Sequence, residues 1–136
     1  MSKITVWFIK SALIYFMLAI ALGLYMGVSG TIYPYMPIHA HFNLLGWMSM
    51  MIYGVGYHIL PRFSGRPIYS ERIAEWQFWL AHIGLVGMAI GWMVKSWYGG
   101  SNTLIIFSIV AATAAFIFVV NMFKTVKAAP APPAAK

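Results

Sequence analysis

The longest uncharged run in the chain extends from Ser11 to Pro61 without a single Asp, Glu, Lys or Arg. An ordinary soluble domain has a charged residue at about every fourth position, so this run is not typical of a water-exposed fold. Hydrophobic residues make up 62% of the 136-residue chain and charged residues only 8%. About 20 apolar residues suffice to cross a bilayer as a helix. The sequence therefore predicts an all-α integral membrane protein.

Four apolar segments are predicted as transmembrane helices of one domain, residues 1–124. Pro and Gly punctuate the chain between them, because Pro cannot continue a helix and Gly favours turns. The predicted helices cover about residues 4–28, 38–60, 72–97 and 103–123. Gly46, Gly54 and Gly56 would let a neighbouring helix or a flat macrocycle approach the second segment closely. The tail over residues 125–136 is rich in Ala and Pro, which predicts a disordered segment.

The basic residues predict the orientation of the four helices. An even number of spans places both termini, and the connection between the second and third helices, on the same side. Eight of the nine basic residues fall on that side, and Lys95 alone falls on the other. Positive residues accumulate on the cytoplasmic side, so both termini are predicted to be cytoplasmic, in a multi-pass protein of a prokaryotic-type inner membrane. Because this topology accounts for the net charge of +7, we expect lipid and not nucleic acid around the chain.

A His-x-His pair, His39 and His41, opens the second helix. A helix turns by about 100° per residue, so these two side chains point about 200° apart and cannot share one small site. In an apolar helix this divergence suggests that the helix lies between two haems, or between a haem and a second metal site. The chain has no cysteine, which excludes thiolate ligands and covalent haem attachment. Spacing alone leaves a polar anchoring role at the interface equally open.

The remaining histidines lie at other depths in the membrane. At 1.5 Å per residue from the cytoplasmic end, His58 lies a few Å in, His82 roughly 15 Å and His41 roughly 28 Å. Axial ligands of one haem lie at similar heights, so a second imidazole beside His41 is expected from another copy of the chain. His58 is interpreted first as an interfacial anchor. His82 is interpreted as a structural histidine or a functional one, since ionisable groups inside membranes are usually paired or functional.

Copper is a weaker interpretation of the same residues. Two histidines fall short of the three or four protein ligands of a typical zinc site. Ten methionines would suit copper, but they are scattered along the chain. Methionine in an apolar helix more often fills space in the packing. Haem therefore remains the predicted cofactor.

Residues 35–95 resemble the helix IX–XII third of the catalytic subunit I of haem-copper oxidases and nitric oxide reductases. In that superfamily a late helix begins His-x-His-Tyr/Phe and ends in an aromatic-Pro-x-Phe-Thr/Ser-Gly turn. The next helix has an aromatic-rich start, and the reductase branch has a His-x-Asn-Leu-Leu run. The matching stretches here are His39-Ala40-His41-Phe42, Asn43-Leu44-Leu45, Tyr57-His58-Ile59-Leu60-Pro61-Arg62-Phe63-Ser64-Gly65 and Trp76-Gln77-Phe78-Trp79.

The resemblance implies that His39 is a ligand of a high-spin haem and His41 of a low-spin haem. The superfamily's copper site uses three further histidines, which have no counterpart here, and the only carboxylates are Glu71 and Glu75. One chain is therefore not expected to be a complete oxidase. The superfamily's subunit arranges twelve helices in three four-helix arcs. A homotrimer of this chain would rebuild that ring and is the favoured assembly, with a homodimer as the alternative.

The sequence thus predicts a respiratory-chain cytochrome with non-covalent haem b, which transfers electrons through bis-histidine iron at the outer side of the membrane. Two imidazoles leave iron no open position, which suits electron transfer. Tyr33, Tyr35 and Trp97 are predicted to hold the propionates, and the electron donor, quinol or cytochrome c, is left open. One alternative is a haem-dependent oxidoreductase or sensor that binds oxygen or nitric oxide. Another is a non-catalytic accessory or metal-handling subunit of a respiratory complex.

Overall fold

The computed structural model describes residues 1–128, and the regular secondary structure of that part is helical. Its elements are α1 (Lys3–Ser29), α2 (Tyr35–His41), a π-helix (Phe42–Ser49), α3 (Met50–Phe63), α4 (Glu71–Tyr98) and α5 (Asn102–Thr125). The α2 helix, the π-helix and α3 follow one another without a gap, so residues 35–63 form one long helical segment. The tail predicted over 125–136 falls mostly outside the described residues.

Local sequence explains where the long helices begin and end. Ser2 caps α1 by accepting a hydrogen bond from the Thr5 backbone N–H, and Gly30 ends that helix with a left-handed φ of 68°. Ser70 caps α4 by accepting from the Ile73 backbone N–H. Lys95 lies in the last turn of α4, where the helix dipole favours a cation.

Three of these helices, α1, α4 and α5, are long and apolar enough to cross a membrane. Most of the surface of α5 is apolar and unburied, as it would be against lipid and not water. The predicted class, an all-α integral membrane protein, is confirmed, whereas the predicted number of four spans stays a prediction.

Small residues allow α4 and α5 to touch backbone to backbone. A Cβ atom placed on Gly84 would lie 2.6 Å from the Ala111 backbone nitrogen, and one on Gly91 would lie 2.7 Å from Leu104 Cα. Real Cβ atoms do not approach so closely, so these two positions need glycine. This is the usual device for close helix packing within a membrane.

The glycines of the second segment face other helices. A Cβ atom on Gly46 would lie 2.6 Å from Tyr15 Cβ, and one on Gly54 would lie 2.8 Å from Ile9 Cγ1, both on α1. Gly56 faces an aromatic ring of α5. Of the two roles predicted for these glycines, the structure shows close approach by a neighbouring helix.

A buried polar network holds the end of the bundle where α3 finishes and α4 begins. The Tyr57 hydroxyl of α3 donates to Gln77 Oε1 of α4. Asn121 Nδ2 of α5 donates to the Ser70 carbonyl at 3.0 Å. Because buried polar groups cost free energy unless they are paired, these bonds fix the relative positions of the three helices.

Candidate cofactor-binding site

The His-x-His pair lies across α2, and its two rings contact different helices. The ring of His39 lies against α1, where its Nδ1 is 2.8 Å from the Ala19 carbonyl oxygen. A Cβ atom on Gly23 would lie 3.1 Å from His39 Cε1, so the absence of a side chain there makes room for the imidazole. The ring of His41 instead faces α4, with its centroid 6.3 Å from that of Trp92.

Hydrogen bonds to carbonyls define which nitrogen of each imidazole carries the proton. His41 Nδ1 is 2.6 Å from the Pro37 carbonyl oxygen, one helical turn earlier. A carbonyl can only accept, so Nδ1 of both His39 and His41 donates and Nε2 retains its lone pair. Histidines that bind metals usually have this arrangement, in which the second ring nitrogen donates to a backbone or carboxylate oxygen. The local fold therefore leaves Nε2 as the ring nitrogen that could coordinate a metal.

Asn43 makes the two histidines chemically unequal. Asn43 Nδ2 is 3.2 Å from His39 Nε2 and 3.1 Å from the His39 carbonyl oxygen, and it donates to both. The lone pair of His39 is therefore already engaged within the chain. Within residues 1–128, the hydrogen bond recorded for the His41 ring is the one made by Nδ1. His41 is thus the member of the pair that presents a usable Nε2.

An unsatisfied donor and a cation lie on the same side of the segment as His41. Trp92 Nε1 is buried and has no hydrogen-bond partner among the described residues. Lys95 Nζ lies 5.2 Å from the centre of the Trp92 ring. The centres of the Tyr33 and Trp92 rings are 6.5 Å apart. A buried N–H without a partner is costly in a native structure, and Trp92 Nε1 is one of two such side-chain atoms in residues 1–128, the other being Gln77 Nε2 near the start of α4. Here an anionic group beside His41 would satisfy Trp92 and lie within the field of Lys95.

His82 lies deeper in the bundle, apart from the pair. Its Nδ1 donates to the Phe78 carbonyl oxygen at 2.8 Å, and its ring lies 5.6 Å from the ring of Tyr15. It also lines an apolar groove of about 390 Å³ on the surface shared by α4 and α5. His82 therefore has the same ring tautomer as His41, in surroundings that are almost entirely apolar.

His58 lies at the opposite end of the 35–63 segment from the pair. Its Nε2 accepts a hydrogen bond from Arg62 Nη1 at 2.8 Å, so that lone pair is engaged. No group of three or more His, Cys, Asp or Glu side chains that could hold a metal ion occurs within residues 1–128. The structure thus separates the histidines and does not gather them into one centre.

Sequence reasoning missed four residues of this site: Ala19, Asn43, Trp92 and Lys95. Asn43 follows His39 by four positions, and Lys95 follows Trp92 by three, which are the spacings of neighbours on a helix. That signal was available for both pairs. The contact of His39 with Ala19, by contrast, joins residues 20 positions apart and depends on how α1 packs.

Three apolar membrane-crossing helices place the chain in the class of integral membrane proteins, and His41 beside the unpartnered N–H of Trp92 is its candidate ligand site. The family model "Cytochrome C and Quinol oxidase polypeptide I" matches residues 30–129, and the chain belongs to that family. The resemblance to haem-copper oxidase subunit I is thereby confirmed.

Individual relatives match over a shorter stretch of 49 residues, 35% of this chain. The chain is 45% identical to cytochrome c oxidase subunit 1 of Rhodobacter capsulatus over 9% of that protein. It is 41% identical to the cytochrome c oxidase subunit 1 homolog of Agrobacterium tumefaciens (strain T37) over 9%, and 41% identical to the Cbb3-type cytochrome c oxidase subunit CcoN1 of Stutzerimonas stutzeri over 10%. The match thus spans about a tenth of the length of these relatives. No solved structure matches the chain significantly.

Proposed function

We propose that this chain is a b-type membrane cytochrome in which His41 Nε2 binds haem iron. One observation carries the proposal: His41 is held by the Pro37 carbonyl with its Nε2 lone pair unused, next to the orphaned N–H of Trp92. Membership of the oxidase subunit I family supports haem as the group concerned. The proposed role is electron transfer at the side of the membrane where α2 begins.

The described residues fit haem b held without a covalent bond. Its carboxylates would suit the Trp92 indole N–H and the Lys95 ammonium. These two residues, with Tyr33, are proposed as the propionate partners in place of the predicted Tyr35 and Trp97. When bound, haem supplies a one-electron iron couple. The chain's contribution is to fix the His41 ring through the Pro37 carbonyl, which also raises the basicity of Nε2.

A second imidazole for the same iron is proposed to come from another copy of the chain. Within this chain, Asn43 engages His39 Nε2, Arg62 engages His58 Nε2, and His82 lies deeper in the bundle, apart from His41. A twofold dimer would bring two His41 residues together and leave the Asn43 bond intact. A homotrimer would pair His41 of one copy with His39 of the next, and Asn43 would have to release His39. The Asn43 bond therefore supports the dimer, whereas the twelve-helix ring of the resembling superfamily supports the trimer.

We further propose that residues 35–63 form a fourth span, with both termini cytoplasmic in a prokaryotic-type inner membrane. The segment contains no Asp, Glu or Lys, and its only arginine, Arg62, lies at its last turn. At 1.5 Å per residue the segment is about 43 Å long, which exceeds the hydrocarbon thickness of about 30 Å. His41 would then lie toward the outer face and exchange electrons there, with quinol or cytochrome c as the donor.

The test is haem content after purification in detergent from cells supplied with haem. We expect wild-type protein to give the pyridine haemochrome spectrum of haem b, His41→Ala to lose most of it, and His58→Ala to retain it. His58→Ala is the matched control, because it removes an imidazole from the same helical segment at the far end. Equal haem in His41→Ala and wild type, with both proteins folded, would contradict the assignment of His41.

A further inference from the structure

A cavity of about 390 Å³ opens at the end of the bundle away from His41. Four segments form its walls: the start of α1, the end of α3, the connection that follows α3, and the start of α4. Its polar and charged lining residues include Thr5, Tyr57, His58, Arg62, Arg66 and Glu71. None of these residues belongs to the proposed haem site. His58 is a candidate ligand in the sequence, but it lies at the opposite end of the 35–63 segment from His41.

The walls of the cavity are held in place by hydrogen bonds. Tyr57 is buried, and its hydroxyl donates to Gln77 Oε1 in the network described above. The Arg66 backbone N–H donates to the Pro61 carbonyl at 3.0 Å, and Gly65 adopts a left-handed φ of 59° that a residue with a side chain rarely adopts. The turn that carries Arg66 is thus fixed against the end of α3.

The charges around the cavity favour an anion. Arg62 and Arg66 contribute two guanidinium groups, and Glu71 contributes one carboxylate. Arg62 Nη1 donates to His58 Nε2 at 2.8 Å, and this acceptor is neutral, so the bond orients the guanidinium without neutralising it. The Thr5 hydroxyl lies in the same wall, where it accepts a hydrogen bond from the Ser2 hydroxyl at 3.0 Å. A guanidinium fork matches phosphate oxygens in geometry as well as in charge.

We propose that this cavity binds the phosphate of an anionic phospholipid headgroup. It lies at the ends of membrane-crossing helices, at the level that lipid headgroups reach. Its lining also includes the apolar side chains of Met1, Pro61 and Ile68, which suit the glycerol and upper acyl region of a lipid better than a free ion. Basic pockets between transmembrane helices on the cytoplasmic side bind anionic headgroups in this way.

The experiment is native mass spectrometry of the full chain in detergent, with phosphatidylglycerol and phosphatidylcholine supplied in equal amounts. Wild-type protein should retain phosphatidylglycerol in preference. Arg62→Gln with Arg66→Gln should reduce that preference by about 25-fold, at about fivefold per basic residue. The matched control is Lys124→Gln with Lys127→Gln, which removes the same charge from exposed residues of α5 and its end, outside the cavity.

Two results would overturn the proposal. An equal loss of preference in the lysine control would show that overall positive charge, and not the cavity, selects the lipid. Displacement of phosphatidylglycerol by millimolar inorganic phosphate would show that the cavity takes a free anion. If the double arginine variant does not fold, Arg66→Gln alone decides, because Arg66 has no part in the bond to His58; an unchanged lipid preference in that variant would also overturn the proposal.

Discussion

Asn43 Nδ2 lies 3.2 Å from His39 Nε2 and 3.1 Å from the His39 carbonyl oxygen, one turn further along the same helical segment. Because His39 Nδ1 also donates to the Ala19 carbonyl, both ring nitrogens of His39 are satisfied inside the chain. His41, two residues on, has Nδ1 bound to Pro37 and its Nε2 without a recorded partner in residues 1–128. The pair therefore contains one imidazole with both ring nitrogens engaged and one whose Nε2 is free among the described residues, and the proposed iron ligand is the second.

Replacing Asn43 should release His39. We expect Asn43→Ala to bind more haem per chain than wild type, because His39 Nε2 regains a free lone pair. Haem held by His39 alone would have an open iron position, so the added fraction should bind carbon monoxide. The measurement is haem per chain together with the carbon monoxide difference spectrum of the reduced protein.

A chemical probe gives a second measurement that does not depend on haem. Diethyl pyrocarbonate modifies imidazole nitrogens that have a free lone pair, and peptide mass spectrometry locates the product. His39 should be protected in wild type and modified in Asn43→Ala. Leu44→Ala is the control, since Leu44 is exposed and adjacent in sequence. Rapid modification of His39 in wild type would contradict the Asn43 bond.

Trp92 provides a test of the proposed propionate contact. Trp92→Phe keeps an aromatic ring beside His41 but removes the buried indole N–H. Loss of one hydrogen bond of about 1 kcal/mol should speed haem release about fivefold. The measurement is the rate of haem transfer to an excess of apomyoglobin. Trp97→Phe is the control, because Trp97 is exposed and lies at the same end of α4; the same acceleration in both variants would refute a specific role for Trp92.

Gly84 tests the backbone contact between α4 and α5. A methyl group at Gly84 would meet the Ala111 backbone, which cannot rotate away as a side chain can. We expect Gly84→Ala to lower the free energy of unfolding in detergent by about 1–3 kcal/mol. Gly27→Ala is the matched helical control, since nothing lies within 4 Å of its Cβ position, and its stability should be unchanged or raised. Equal stability of the two variants would contradict the close packing.

If two His41 residues from two copies share one haem, the haem content should depend on the ratio of wild-type to His41→Ala chains in a specific way. When wild-type and His41→Ala chains are co-expressed at equal levels with different tags, a haem that needs two His41 residues should fall to about a quarter of the wild-type amount. A haem held by one chain should fall only to about half. The measurement is haem per total chain as the expression ratio is varied. A linear decline would exclude a haem shared through two His41 residues, whereas a haem that pairs His41 with His39 of the next copy would also decline linearly.

Some of this structure follows from sequence alone. The absence of charge between Ser11 and Pro61 predicts membrane helices, and the two-residue spacing of His39 and His41 predicts that their rings diverge. Both follow from local helix geometry and from the solvation of side chains, which depend on residue spacing and polarity and not on tertiary packing. The motifs around His39 and Pro61 also identified the family.

Other features could not be predicted, because they depend on tertiary packing. The contacts of His39 with Ala19 and Gly23 require the position of α1 against α2. The buried, unpartnered state of Trp92 Nε1 depends on what surrounds α4. Asn43 differs from these, since its position four residues after His39 could have predicted the hydrogen bond between them. In the sequence, Asn43 is interpreted only as part of the Asn-Leu-Leu run of the reductase branch.

The most direct test of the central claim is the coordination of the iron, measured by low-temperature electron paramagnetic resonance on the oxidised, purified wild-type protein. We predict a low-spin signal of bis-imidazole iron that is absent from His41→Ala, and a reduced spectrum that does not change with carbon monoxide. A high-spin signal, with a reduced form that binds carbon monoxide, would contradict bis-histidine electron transfer. It would instead favour the oxygen- or nitric oxide-binding alternative.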